Sequence, residues 1–144
     1  MPNPETVARD QALEVYGRYV DLQVALEAGA DLDPATARTV STGRAMTILE
    51  TVVSVGRERG TVIRGPQGER APHVVSVSLT STPPSVVIED CVDVSRLVVT
   101  RRDTGEVYPV PTQSPRYIKS YTVQQQQPSG WLVSDVRAQR DRTC

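Results

Sequence analysis

The spacing of hydrophobic positions changes along the chain, from helical steps in the first third to alternation in the remainder. Residues 4–28 carry apolar side chains at steps of three and four, as one face of a helix requires. The members of this stripe are Ala8, Ala12, Val15, Tyr19, Leu22 and Leu26. Beyond residue 60, short segments rich in β-branched residues are separated by Gly and Pro. This order predicts a curved β-sheet with helices packed on one face.

Three helices are predicted from these steps and from end signals. The first begins at Asn3-Pro4, where Asn3 can cap and proline fits the first turn, and it ends at Gly29. The second runs over Pro34–Val40 and follows Asp33, which can cap it as Asn3 caps the first helix. The third covers about 44–58 and is helical despite many β-branched residues, because its apolar positions step by three and four.

Strands are predicted over 61–64, 73–80, 86–92, 96–100, 117–125 and 131–138. In the second of these, alternation places Val75, Val77 and Leu79 on one face. The prolines within 108–115 predict an extended loop, and 137–144 is predicted to be a polar tail.

Size and charge exclude several classes of protein. A chain of 144 residues is expected to form a single domain, 1–144, with its own hydrophobic core. The net charge of -1 and the scarcity of aromatic residues argue against nucleic-acid binding. The sequence contains no run of 18 apolar residues, which is about the length that a membrane-spanning helix needs. The polar start is not a signal peptide, and a signal or lipid anchor removed upstream of residue 1 remains open.

The two cysteines, Cys91 and Cys144, are either free thiols or one disulfide. The single histidine and the absence of clustered ligands argue against a structural zinc site. A cysteine at the last residue is well placed to fasten a chain end that is normally loose, which favours the disulfide. A disulfide would in turn place the protein outside the reducing cytoplasm, either secreted or associated with the cell envelope.

No catalytic constellation is evident. Isomerase chemistry needs a carboxylate base facing a tyrosine and a protonated acid, and the candidates are Tyr16, Tyr19, Asp90, Asp93, Tyr121 and Asp135. Their spacing selects no base and no oxyanion donor. Tyr16 and Tyr19 are interpreted as packing residues whose tips reach water, Asp90 and Asp93 as diverging turn or cap residues, and His73 as a strand-edge residue.

The order of elements and several motifs resemble the nuclear-transport-factor-2-like (cystatin-like, cone-shaped) superfamily. The resemblance is closest to small exported actinobacterial proteins and lipoproteins of unassigned role. The matching stretches are 43–45, 60–65, 87–95 and 130–136, together with Cys144. The resemblance implies an α+β fold, in which N-terminal helices pack on a strongly curved, mostly antiparallel sheet that forms a cone-shaped half-barrel. It also implies pairing of Cys91 with Cys144 and, as in many relatives, a homodimer.

The cone shape implies a cavity between the sheet and the helices, with Tyr16, Tyr19, Tyr121 and Trp131 as expected pocket-lining residues. We therefore expect an exported, non-catalytic domain that binds a protein partner or a small apolar ligand, without a cofactor. One version is an accessory extracytoplasmic part of a cell-envelope, secretion or conjugation system, by analogy of fold alone. The alternative is a small-molecule isomerase, dehydratase or cyclase that uses the cavity. A deep cavity with Tyr16 or Tyr121 opposite a buried aspartate favours the enzyme, and a cavity filled by Val and Leu favours the binding module.

Overall fold

A computed structural model of the protein describes residues 2–66, 68–110, 115–127 and 130–144. Within these residues the chain forms three helices and six strands, in the order α1 (Pro4–Glu27), α2 (Pro34–Val40), α3 (Gly43–Arg59), β1 (Thr61–Arg64), β2 (His73–Ser78), β3 (Ser85–Asp93), β4 (Val98–Arg101), β5 (Arg116–Gln126) and β6 (Gly130–Thr143). Parts of the turn at 65–68, of the loop at 108–115 and of the hairpin end at 126–130 lie outside the described residues.

The helix ends follow the local signals in the sequence. At the start of α1, the Asn3 side chain accepts a hydrogen bond from the backbone N–H of Glu5 at 2.8 Å, and at α2 Asp33 accepts one from Ala35 at 3.1 Å. Both caps satisfy a backbone donor that has no partner inside the helix. The end of α3 is Gly60, whose φ of 64° lies in the left-handed region that glycine adopts without strain. The predicted helices are thereby confirmed, with α3 one residue longer at each end.

The strands form two antiparallel sheets. The larger has the order β2-β3-β5-β6, and the smaller pairs β1 with β4. All three helices contact the larger sheet, chiefly through β6. The core lies between them, and its most deeply buried members include Ala12, Tyr19, Leu49, Ile88, Val123 and Val133. The predicted α+β architecture, with helices on one face of an antiparallel half-barrel, is confirmed.

The predicted apolar face of β2 is wrong. The register with β3 shifts between Val74 and Ser76, so Val75 is an extra residue in a β-bulge. The shift places Val74 and Val77 against the core. Val75 is left 46% exposed and Leu79, beyond the end of the strand, 38% exposed.

The predicted polar tail is also wrong, because β6 continues through it to Thr143. In that stretch Thr143 pairs with Tyr117 of β5. The next residue, Cys144, forms a disulfide with Cys91 of β3, with the two Cα atoms 6.1 Å apart. The chain end is therefore held by a strand and a covalent bond, and the expected pairing of the two cysteines is present.

Candidate functional site

A cavity of about 710 Å³ lies between α1, α3 and the two sheets. Helix α3 has two apolar faces: Ala45 and Leu49 are fully buried in the core, whereas Ile48, Val52 and Val55 are half-buried and border the cavity. Aliphatic side chains from α1 and from the segments around β1 and β4 complete the apolar wall. They are Val20, Val24, Ile63, Leu97 and Val99. The sequence thus supplies more apolar helix surface than the sheet covers, and the cavity is the space left open.

Two ionisable side chains, Glu27 and Lys119, stand in this largely aliphatic wall. Glu27 ends α1, and Lys119 lies on the inward face of β5 between Tyr117 and Tyr121. Burial raises the pKa of the Glu27 carboxyl, and the Lys119 ammonium and a hydrogen bond from Gln23 oppose that rise. Burial lowers the pKa of Lys119, and the negative charge of Glu27 opposes that fall. Each group is thus held where its charged form is poorly hydrated.

Neither of these two groups is closely paired. No ion pair joins Glu27 or Lys119 to another described residue, and Lys119 makes no hydrogen bond to one. Neither residue was predicted as a site residue from the sequence. The alternation Tyr117, Lys119, Tyr121 in a strand is the signal that places the lysine inward.

Arginines surround the rest of the cavity. Arg140 of β6 stacks on the Tyr117 ring, with its guanidinium carbon 4.4 Å from the ring centroid. Arg44 is paired with Asp135 at 2.7 Å, and Arg70 with Asp21 at 2.7 Å. Asp135, one of the predicted candidates, is therefore an ion-pair residue.

Asp90 is a buried residue of the cavity wall, so its predicted role as a turn or cap residue is wrong. It is 3% exposed. The Tyr16 hydroxyl donates to its Oδ2 at 2.6 Å, and the backbone N–H of Ala71 donates to its Oδ1 at 3.2 Å. Asp93 does form a turn, with its Oδ1 accepting from the backbone N–H and the hydroxyl of Ser95 at 2.9 and 2.6 Å.

Three of the four predicted pocket residues, Tyr16, Tyr19 and Tyr121, lie close together. Tyr121 lines the cavity, and the Tyr16 and Tyr19 rings contact it edge-on, with centroids 4.8 and 6.3 Å away. Tyr16, Tyr19 and Trp131 belong to the buried core behind that wall. The expectation that the tips of Tyr16 and Tyr19 reach water is wrong, because the Tyr19 hydroxyl donates to the carbonyl of Ala45 at 2.8 Å. Burial, reinforced by the Asp90 carboxylate, raises the pKa of Tyr16, which keeps its proton.

The described residues offer no catalytic histidine in the cavity, no cluster of metal ligands and no membrane-spanning helix. His73 lies exposed at the start of β2, as predicted for a strand-edge residue. Among the described residues, no three His, Cys, Asp or Glu side chains come together as metal ligands. No helix in the described part of the chain is long and apolar enough to cross a bilayer.

Comparison with known proteins identifies the fold and no family. The chain matches no protein-family model and no curated protein. Among solved structures, it is similar to the crystal structure of the intermembrane space region of the chloroplast protein ARC6. The TM-score is 0.60 with 14% sequence identity, over 96% of this chain and 98% of that chain. A likeness at this identity is one of fold alone.

Proposed function

We propose that the protein is a non-catalytic, extracytoplasmic binding domain that takes a small apolar ligand into its cavity. The observation that carries this proposal is the unfilled aliphatic surface of α3, where Ile48, Val52 and Val55 face a space of about 710 Å³. That volume falls in the range of roughly 300–1,000 Å³ that suits small-molecule ligands. Filling the cavity with an apolar ligand would remove this surface from water.

The disulfide supports the proposed compartment. Disulfides persist in oxidising environments and are rare in reducing ones. The Cys91–Cys144 bridge joins β3 to the residue that follows β6, the last strand of the sheet. The intermembrane-space origin of the similar solved structure is compatible with this location.

The sequence motifs support a narrower version of the same proposal. In it, residues 1–144 are one domain of the nuclear-transport-factor-2-like superfamily, from an exported actinobacterial protein or lipoprotein. Its role would be that of an accessory part of a cell-envelope, secretion or conjugation system. It would form a homodimer, as is common in that superfamily. These details rest on resemblance.

A cavity-filling substitution tests the binding role. Val55→Trp places a large side chain at a half-buried position on the cavity wall, whereas Val75→Trp adds the same group at a position that is 46% exposed and lies away from the cavity. The neutral apolar dye Nile red is expected to fluoresce on binding the wild-type protein and the Val75→Trp variant. Val55→Trp is expected to weaken its binding by about tenfold or more, because the added ring occupies the space. Equal binding by all three proteins would contradict the proposal.

The geometry at Asp90 favours a second candidate function, a small-molecule enzyme of isomerase, dehydratase or cyclase type. A buried carboxylate fixed by Tyr16 borders the cavity next to Tyr121, and a positioned carboxylate can remove a proton from carbon beside a carbonyl. The test is exchange of such a proton for deuterium in a cyclic ketone incubated with the protein in heavy water. Exchange that Asp90→Asn abolishes would establish the enzyme, and exchange at the rate of buffer alone would exclude this chemistry.

A further inference from the structure

The charges on the cavity wall differ in whether the protein itself satisfies them. Asp90 accepts from two donors, Asp93 accepts from Ser95, and Arg44 and Arg70 each hold a carboxylate at 2.7 Å. Lys119, in contrast, has neither an ion pair nor a hydrogen bond with a described residue. A half-buried ammonium without a hydrogen bond or a close ion pair is costly for the folded protein, so an acceptor supplied by a ligand would be favoured.

The neighbours of Lys119 specify the charge of that partner. The charged groups that face it are Glu27 from α1, Asp90 from β3 and Arg140 from β6. The Asp90 carboxylate is engaged by Tyr16, and burial favours the protonated form of Glu27. An anion beside Lys119 would therefore meet its ammonium, the guanidinium of Arg140 and a carboxyl whose charged form is disfavoured by burial.

We propose that the cavity binds an aliphatic carboxylate, whose hydrocarbon chain lies along Ile48, Val52 and Val55 and whose carboxylate contacts the ammonium of Lys119. The proposal rests on the proposed binding function and adds the chemical class of the ligand. The head group gains a charge-assisted hydrogen bond at a half-buried position.

Three ligands with the same chain separate the contribution of the head group from that of the chain. Decanoate and decyltrimethylammonium, each below its micelle concentration, and 1-decanol, below its solubility limit, are titrated into the protein by calorimetry. Decanoate is expected to bind at least about tenfold more tightly than the alcohol, the scale of a charge-assisted hydrogen bond, and the cation most weakly. Equal affinity for decanoate and decanol, or preference for the cation, would overturn the inference while leaving an apolar binding role intact. Failure of all three to bind would remove the binding function itself.

Variants locate the head group. Lys119→Met is expected to lower the affinity for decanoate by about tenfold or more and leave that for decanol unchanged, whereas Lys119→Arg keeps most of the decanoate affinity. Arg9→Met removes one positive charge from an exposed position that is not part of the cavity wall and is expected to leave both affinities unchanged. Circular dichroism establishes that each variant is folded. Equal loss of decanol and decanoate affinity in Lys119→Met would overturn the assignment.

A spectroscopic readout follows the lysine itself. Lys119 is the only lysine in the sequence, so reductive methylation with ¹³C-formaldehyde labels it and the α-amino group alone. The pKa of the labelled amine is then read by NMR in the free and bound protein. Decanoate is expected to raise the pKa of Lys119, because a nearby anion favours the ammonium form, and decanol is not. An unchanged pKa under saturating decanoate would place the carboxylate elsewhere and overturn the proposal.

Discussion

Removal of the Cys91–Cys144 disulfide is expected to lower the free energy of unfolding by about 4 kcal/mol. The bridge closes a loop with a sequence separation of 53. On the chain-entropy model, opening a loop of that length lowers the free energy of the unfolded chain by about 4 kcal/mol, because the chain gains conformational entropy. Small domains are stable by only about 5–15 kcal/mol in total, so this is a large part of the whole.

The perturbation is the double variant Cys91→Ala/Cys144→Ala, which leaves no free thiol. Equilibrium unfolding in urea is followed by the fluorescence of the single tryptophan, Trp131, which is 8% exposed in the fold. The midpoint is expected to fall and the slope to rise, because the uncrosslinked unfolded chain exposes more surface. The native strand pairing of β6 with β5 should persist at zero urea.

Wild-type protein unfolded in the presence of a reductant is the control, and its curve should coincide with that of the double variant. A loss below about 1 kcal/mol would refute the loop-entropy reasoning. Such a result would mean that the strand pairs of β6 already restrict the chain end in the unfolded ensemble.

Three further predictions concern single side chains. Tyr16→Phe is expected to lower the free energy of unfolding by about 2 kcal/mol, because it removes a buried donor from the Asp90 carboxylate, and a change within error in urea unfolding would contradict this. Hydrogen bonds from Arg142 lower the pKa of Glu89, so the stability they add is present above the ordinary pKa of about 4.3 and lost as the pH falls through the lowered one. The wild-type protein should therefore lose stability below pH 4.3 more steeply than Arg142→Gln in acid titrations followed by circular dichroism, and parallel curves would refute the linkage. Lys119→Met is expected to raise the free energy of unfolding at pH 7, because burial lowers the pKa of the lysine and so disfavours its ammonium form in the folded protein. Thermal unfolding of the two proteins measures whether the variant is more stable, and a less stable variant would contradict this.

Local signals in the sequence predict the helices well because the chemistry that ends a helix is local. Asn3 and Asp33 cap through bonds to residues two positions away, and Gly60 supplies the left-handed backbone within the same turn. Each of these features involves neighbouring residues only, so it can be predicted from the sequence without knowledge of the tertiary fold.

Non-local pairing explains the errors in the sheet. The bulge at Val75 depends on the register of β2 against β3, and one extra residue reverses the face of every side chain beyond it. The stretch 137–144 is polar by composition, yet it is a strand because β5 provides backbone partners and Cys91 anchors Cys144. Composition predicts exposure in such a segment better than it predicts pairing.

The cavity was predicted as a feature of the fold, whereas Glu27 and Lys119 were not predicted to line it. Tyr121 could be proposed as a lining residue because its type and resemblance favoured it. Lys119 sits two positions away on the same face of β5, and strand alternation alone would have placed it inward. Glu27 could not be found in this way, because the last turn of α1 faces a cavity wall contributed by a distant strand.

Native mass spectrometry under non-reducing conditions, with and without decanoate, tests the central claim most directly. The account predicts a protein mass lower by two hydrogens than the reduced chain and a one-to-one complex with decanoate. Val55→Trp, in which the added ring fills the cavity, should form that complex weakly, and Val75→Trp should form it as the wild type does. Free thiols in the isolated protein would contradict the extracytoplasmic assignment. Absence of a complex would contradict the assignment of a carboxylate ligand, and an equal complex in both tryptophan variants would contradict binding in the cavity.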